Sequence, residues 1–445
     1  MIAIRMRTEG LMDPIGITAE YPNLFWNCQG GQKQTAYQIV AADDSGSVLW
    51  DSGRVESAAM CVKWGGAPVP PKTKVIWKVR LWDENDATGE WAKAVFETGI
   101  NTWSAEWITG DYTVNKRLRY PVDCFRKAFR AADVKKARLY ITACGQYEAK
   151  LNGQRVGDFV RATGITDYRK RVQYQTYDVT DLLQNGENTL TVQLADGWYR
   201  GSCGAWGLKN QYGTETKLLA QLELTHADGS VQTIVTDESW DWSNDGPIRF
   251  ADNKDGEIVD ARKEPTYSGK AKVSSHPVTP TASNNVPVTE HERLKAELIT
   301  TPSGKTVLDF GQNIAGYAEF TVTAHAGQEI KLRFGELLDE NGEFTQKNIQ
   351  CSSKRITTPL QQVIYTCIVR EQNVSVHDLR LFGIEIASCV HQDRFGAFFV
   401  SLHSKPGGNP LGLSFSERIG VVQHGVVISA FFAEMSCYHN EPPSL

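Results

Sequence analysis

The chain has 445 residues, a net charge of −5 and a hydrophobic fraction of 41%. This length is too great for a single hydrophobic core and predicts about three domains. The charged fraction of 22% and the slightly acidic balance argue against a disordered chain and against a nucleic-acid partner.

Targeting and cysteine patterns predict a soluble, cytoplasmic protein. No apolar stretch is long enough to span a bilayer, and the opening residues, MIAIRMRTEGLMDPIGI, lack the apolar core and cleavage site of a secretory signal. The nine cysteines form an odd count without CxxC pairs. Such a pattern is typical of scattered thiols in a reducing compartment, and no membrane partner is expected.

The first block, residues 1–103, carries hydrophobic residues at a period of two, which indicates half-buried β-strands. In KVIWKVRLW, Val75 and Trp77 fall on one face, whereas Lys74 and Lys78 fall on the other. Turn signals separate several such runs. The block therefore predicts an antiparallel immunoglobulin-like or fibronectin-like sandwich.

The second block, residues 104–272, has more strands of the same kind, enough for a galactose-binding-like jelly roll. In YEAKLNGQRVGDF, apolar residues alternate with polar ones up to Asn152-Gly153, a pair that favours a two-residue hairpin turn. The alternation places Glu148 on the solvated face. We therefore interpret this stretch as a hairpin and not as part of a catalytic site.

Beyond the second block the pattern weakens along the chain. Residues 273–294 are rich in Pro, Ser, Thr and Asn and predict a linker. Residues 295–390 predict a further β-sandwich, and residues 391–445 form a poorly defined tail with no sustained period of either kind.

A stretch rich in aromatic residues and glycine, LADGWYRGSCGAWGLKNQYG, predicts a sugar-binding surface. Proteins bind sugars with an aromatic plane against the apolar C–H face and with amides and carboxylates against the hydroxyls. The alternative is that these aromatic residues belong to the core and the glycines only shape a loop. The candidate sugar-binding residues are Asp167, Asp196, Trp198, Tyr199, Trp206, Asn210 and Tyr212.

An acidic loop, FADNKDGEIVDAR, offers oxygen ligands in Asp252, Asp255 and Glu257 around Gly256. Calcium takes six to eight oxygen ligands and tolerates irregular geometry, so this loop is a candidate Ca²⁺ site. The spacing is not that of an EF-hand. From composition alone, a polar connection between two strands is the stronger interpretation.

Together these stretches resemble bacterial α-L-rhamnosidases of glycoside hydrolase family 78. The matching segments follow one another between about residues 12 and 370: QTAYQIV, LWDSGRV, WKVRLWDE, YEAKLNGQRVGD, TDYRKRVQYQTYDVTDLL, LADGWYRG, DGEIVDARKE, DFGQNIAGYAEF and GELLDENGEF. The resemblance implies that the second block is the rhamnosidase N-terminal jelly roll, a fold shared with carbohydrate-binding modules. It also implies that residues 295–390 are part of the family's concanavalin-like β domain.

In some members of the family the jelly roll binds rhamnose through Ca²⁺. The resemblance therefore strengthens the sugar and calcium interpretations of Asp167, Asn210, Asp255 and Glu257.

The family's catalytic domain is an (α/α)₆ barrel that follows these β domains and carries a motif resembling DCPxRxExxGWxGD. Nothing after residue 370 matches that motif, and such a barrel needs on the order of 150 helical residues. At VHDLRLFGIEIASC, where the family has a strand ending in a motif like FxxFGFRYxxV, this chain retains only the FG. We interpret the tail as the product of a reading-frame change near residues 368–390, with divergence as the alternative.

Three functions follow from this organisation. The first is the front half of a rhamnosidase without its barrel, which binds a rhamnose-containing saccharide or acts as a scaffold, with Ca²⁺ as a cofactor of the jelly roll. The second is an active hydrolase that uses two carboxylates in an inverting mechanism. The third is an inactive truncated product. An oligomer is compatible with the sequence, which does not itself identify an interface.

Overall fold

The computed structural model describes residues 1–203, 208–253, 255–260, 263–312, 314–315, 330–333, 335–345 and 347, and strands at 382–391, 394–402 and 421–422. In this described part, regular structure other than β-strand is limited to a short α-helix, α1 (Gly197–Arg200), and a 3₁₀ turn at Thr180–Leu182. Neither could cross a bilayer. The mainly β fold class predicted from the period-two alternation is confirmed.

The first domain consists of two sheets that pack face to face. Its strands are β1 (Ile2–Thr8), β2 (Ile15–Ile17), β3 (Asn23–Gln29), β4 (Ala36–Asp43), β5 (Val48–Asp51), β6 (Val55–Glu56), β7 (Cys61–Lys63), β8 (Lys74–Trp82) and β9 (Ala92–Thr98). The smaller sheet is β1-β3-β7, and the larger is β2-β9-β8-β4-β5 with β6 paired to β4. Val75, Trp77 and Val79 of β8 are fully buried between them, as the alternation predicts.

The second domain also has two sheets around one core. Its strands are β10 (Trp107–Thr109), β11 (Asp123–Ala131), β12 (Val134–Cys144), β13 (Gln146–Leu151), β14 (Gln154–Arg155), β15 (Gln173–Asp178), β16 (Gly186–Ala195), β17 (Lys217–His226), β18 (Val231–Val235), β19 (Asp241–Ser243), β20 (Ile248–Asp252), β21 (Gly256–Val259), β22 (Gly269–Lys270), β23 (Lys272–Ser274) and β24 (Thr281–Ala282). One sheet runs β23-β10-β17-β12-β15-β24, with β18 on β17, and the other runs β14-β13-β16-β11-β19-β22. The hairpin β20–β21 forms a small sheet of its own.

The turn between β13 and β14 is the predicted two-residue hairpin, with Leu151 paired to Gln154. Asn152 and Gly153 have φ values of 52° and 80°, in the left-handed region that Asn and Gly tolerate best. The Asn152 side chain donates to Leu182 O at 2.9 Å and accepts from Thr189 N at 2.9 Å. This turn therefore has a structural role, because it ties the hairpin to its neighbours.

The strands described in the third region are β25 (Glu290–Glu292), β26 (Glu297–Thr300), β27 (Thr306–Asp309), β28 (Ile330–Arg333), β29 (Leu337–Leu338), β30 (Phe344–Thr345), β31 (Phe382–His391), β32 (Arg394–Leu402) and β33 (Val421–Val422). The segment 273–294, predicted as a linker, begins within β23 and includes β24, both paired to the second domain. The predicted domain boundaries themselves stay a prediction.

A buried ion pair joins the first domain to the second. Glu97 near the end of β9 and Arg138 in β12 are 2% and 7% exposed. Arg138 donates Nε to Glu97 Oε1 at 3.0 Å and Nη2 to Oε2 at 2.9 Å. Beside it, Tyr174 donates its hydroxyl to Ile100 O at 2.8 Å. The guanidinium fork matches both carboxylate oxygens, which gives the junction a defined geometry.

We expect Arg138→Ala to lower the free energy of unfolding by about 3 kcal/mol, because it leaves the buried Glu97 carboxylate without its main partner. Urea unfolding monitored by tryptophan fluorescence measures the change. Arg130→Ala is the matched control, since Arg130 pairs with Glu187 at 3.3 Å where both side chains are mostly exposed. Equal losses for the two variants would contradict a structural role for the junction pair.

Candidate functional site

An aromatic cluster in the second domain contains three of the predicted sugar-binding residues, Trp198, Tyr199 and Tyr212. Tyr168 lies at its centre, with its ring centroid 5.2 Å from those of both Tyr199 and Tyr212. Tyr199 is 4% exposed and belongs to the core, whereas Trp198 and Tyr212 are only partly buried. Tyr199 therefore fits the core interpretation, whereas Trp198 and Tyr212 fit the surface interpretation.

At the edge of this cluster, Asp167, Arg169 and Tyr212 form one surface, which we call the Tyr212 face. Arg169 donates Nε and Nη2 to the two oxygens of Asp167 at 2.8 and 3.0 Å. Its guanidinium carbon lies 5.5 Å from the centroid of the Tyr212 ring. These hydrogen bonds hold the pKa of Asp167 below its ordinary value, so its carboxylate stays charged.

Asp196 lies inside the protein and not on this surface. It is 7% exposed and accepts from Arg200 Nε at 2.8 Å. Burial raises the pKa of Asp196, while the Arg200 guanidinium opposes the shift. Arg200 also donates Nη1 to the Tyr112 hydroxyl at 2.6 Å. The carboxylate therefore serves to position α1, whose last residue is Arg200.

The two remaining sugar-binding candidates are Asn210 and Trp206. Asn210 donates its backbone N–H to Arg200 O at 3.0 Å, and its side-chain Nδ2 lies 3.5 Å from Lys116 O. It therefore mainly shapes its loop. Trp206 lies outside the described residues.

The acidic loop is held by a cation that the sequence analysis missed. Arg119 forms ion pairs with Asp255 and, at 3.8 Å, with Asp252. The Ser202 hydroxyl donates to Asp255 Oδ2 at 2.6 Å. Burial alone would raise the pKa of Asp255, but Ser202 and Arg119 hold it below its usual range.

This arrangement does not fit the predicted calcium site. Among the described residues, no group of three or more His, Cys, Asp or Glu side chains is placed to hold a metal ion. The carboxylates of Asp252 and Asp255 instead pair with the Arg119 guanidinium. Glu257 lies elsewhere, on β21 opposite Ala251. The predicted calcium site therefore has no group of three ligand side chains among the described residues.

A second buried carboxylate, Asp123, was also missed. It is fully buried and accepts from the Tyr112 hydroxyl at 3.2 Å, Thr216 Oγ1 at 2.7 Å and Trp242 Nε1 at 3.0 Å. Thr216 and Trp242 lie 93 and 119 residues from Asp123 in the sequence, so no local pattern predicts these contacts. Asp196 and Arg200 are the exception, because a separation of four residues is the spacing of a helical ion pair.

Three family models match the chain in order. Residues 3–102 match the N-terminal immunoglobulin domain of Rha78A-like proteins, and residues 132–301 match the α-L-rhamnosidase N-terminal domain. Residues 299–373 match the bacterial α-L-rhamnosidase concanavalin-like domain.

Individual relatives agree with these models. An α-L-rhamnosidase of Formosa agariphila is 33% identical over 374 residues, which cover 77% of this chain and 40% of the relative. The solved α-L-rhamnosidase of Aspergillus terreus is 29% identical with a TM-score of 0.74, covering 94% of this chain and 48% of that structure. The α-L-rhamnosidase of Streptomyces avermitilis complexed with L-rhamnose is 25% identical with a TM-score of 0.76, covering 94% and 57%.

The chain thus spans about half the length of the relatives that it matches. The matched models are β domains, and the described residues contain no helical barrel, since their one α-helix is the four-residue α1. On this combined evidence, the chain belongs to the α-L-rhamnosidases of glycoside hydrolase family 78 and corresponds to their N-terminal, non-catalytic β domains.

Proposed function

We propose that this chain binds a rhamnose-containing saccharide through the Tyr212 face of its second domain. The observation that carries the proposal is the Asp167–Arg169 fork held beside the Tyr212 ring. A sugar needs an aromatic plane for its C–H face and fixed polar groups for its hydroxyls. The Tyr212 face offers both, and Arg169 is mostly exposed to solvent.

The relatives support L-rhamnose as the ligand class. Each relative described above is an α-L-rhamnosidase, and the Streptomyces avermitilis protein was solved with L-rhamnose. Binding without bond cleavage is the function that these β domains can perform by themselves. The cytoplasmic location stays a prediction.

One observation favours hydrolysis as a second candidate. Burial raises the pKa of Glu257 to about 7, and the nearby Glu148 carboxylate adds to the shift. Glu148 itself is 43% exposed and lies 3.4 Å from Lys150 Nζ. Two carboxyls in such different environments are the kind of pair that glycosidases use as acid and base.

We expect full-length protein to bind L-rhamnose in isothermal titration calorimetry, and we expect Tyr212→Ala to abolish the heat because it removes the aromatic plane. Arg169→Ala should weaken binding by about tenfold, the loss of one charged hydrogen-bonding group. Tyr21→Ala is the control, since Tyr21 is 42% exposed on the first domain.

The titration is repeated with CaCl₂ and with EDTA. Equal heat in both buffers fits the proposal, whereas heat that requires calcium would place a metal in the site. No heat in either buffer, or an undiminished signal in Tyr212→Ala, would refute binding at the Tyr212 face.

For hydrolysis, we expect no release of 4-nitrophenol from 4-nitrophenyl α-L-rhamnoside. The reason is that the chain matches only β domains of the family, and its described residues contain no helical barrel. The absorbance of 4-nitrophenolate after an alkaline quench measures the product. Turnover that Glu257→Gln abolishes and Glu187→Gln preserves would establish the second candidate instead.

The raised pKa of Glu257 also predicts a pH dependence of stability. The folded protein holds the proton up to about pH 7, whereas the unfolded chain loses it near pH 4.5. Stability is therefore fully present below pH 4.5 and falls as the pH rises through 7. We expect Glu257→Gln to raise the urea midpoint at pH 8 and to leave it unchanged at pH 4.5. The exposed Glu187→Gln should shift neither midpoint, and a shift of equal size at both pH values in Glu257→Gln would contradict the assignment.

A further inference from the structure

The outer face of the larger first-domain sheet carries a group of side chains that the Tyr212 face does not explain. β8 and β9 pair with Lys78 directly opposite Lys93 and with Val79 opposite Ala92. Just beyond this register, the Arg80 guanidinium carbon lies 4.8 Å from the centroid of the Trp91 ring. We call Lys78, Arg80, Trp91 and Lys93 the outer patch.

The aromatic part of the outer patch is rigid and accessible. Arg80 lies between two rings, 4.8 Å from the centroid of Trp91 and 5.0 Å from that of Trp82. Its Nε and Nη2 donate to Gln38 Oε1 at 3.0 and 2.7 Å, and Gln38 donates Nε2 to Asp51 Oδ1 at 2.8 Å. Trp91 is nevertheless 40% exposed. A ring held in place before binding costs little conformational entropy when a ligand stacks on it.

The charged part of the outer patch lacks compensation. Like charges directly opposite each other on neighbouring strands destabilise a sheet. Lys78 and Lys93 are both exposed and occupy such a pair. Within the described part of the chain, neither lysine forms an ion pair with a carboxylate. An anionic group bound between the two ammonium groups would remove their repulsion.

We propose that the outer patch binds an acidic saccharide, with a pyranose C–H face on Trp91 and a carboxylate on Lys78 and Lys93. The ring supplies the apolar plane, and the two lysines supply the charge complement. The patch lies on a different domain from the Tyr212 face. Lys93 is four residues, or about 13 Å of strand, from Glu97 at the junction, and Lys78, Trp91 and Lys93 are all exposed with both domains present.

The test uses the full chain and trigalacturonic acid in isothermal titration calorimetry at low ionic strength. We expect heat that Trp91→Ala reduces by more than about tenfold, as for a central aromatic contact. The double variant Lys78→Gln/Lys93→Gln should abolish binding. Raising the salt should weaken binding in the unmodified chain because the lysines are exposed. The neutral trisaccharide galactotriose should bind much more weakly.

Lys74→Gln is the control, because Lys74 lies on the same strand and face, four residues from Lys78, but opposite Glu97 and not opposite a second lysine. It should retain binding, as should Tyr212→Ala, which separates this proposal from the Tyr212 face. The lysine double variant should also show a raised urea midpoint, since the repulsion is gone, and this confirms that it folds. No heat from the unmodified chain would overturn the proposal. So would an equal loss in Lys74→Gln, which would indicate non-specific attraction.

Discussion

The pairing of Glu97 with Arg138 is the constraint on which the arrangement of the first two domains depends. A charge removed from water is costly unless an opposite charge and further hydrogen bonds compensate it. Glu97 therefore needs the guanidinium fork, and the Nη1 of Arg138 reaches Asp178 at 2.8 Å on the same side. Because the pair joins β9 to β12, two strands inside their sheets, it couples the two cores and not merely two surface loops.

The same requirement organises the loops of the second domain. The Arg200 guanidinium balances the negative charge of Asp196, and the Arg119 guanidinium balances that of Asp255 in the acidic loop. These pairs hold α1 and the β20–β21 hairpin in place, which is why several carboxylates that suit a sugar or a metal in sequence serve the protein interior instead. At the rim of the aromatic cluster, by contrast, Arg169 stays exposed beside Tyr212, which is why the sugar-binding proposal rests on the Tyr212 face.

As part of the rhamnosidase family, the chain presents two surfaces that combine an aromatic ring with fixed charges, one on each of its first two domains. The Tyr212 face is nearly neutral, since Arg169 is matched by Asp167. The outer patch is cationic, since its two lysines face each other. The difference in charge suits two chemically distinct parts of a saccharide, a neutral deoxysugar and an acidic sugar.

The sequence by itself determined the fold class, the strand faces and the family. Alternation is a local property, so Val75 and Trp77 could be assigned to the core and Asn152-Gly153 to a turn without knowledge of the rest of the chain. Only the tertiary structure decided which carboxylates are available to ligands. Asp255 and its partner Arg119 are 136 residues apart, and no periodicity links positions at that distance. Burial and ion pairing depend on which strands become neighbours, which is decided by the packing of the whole domain.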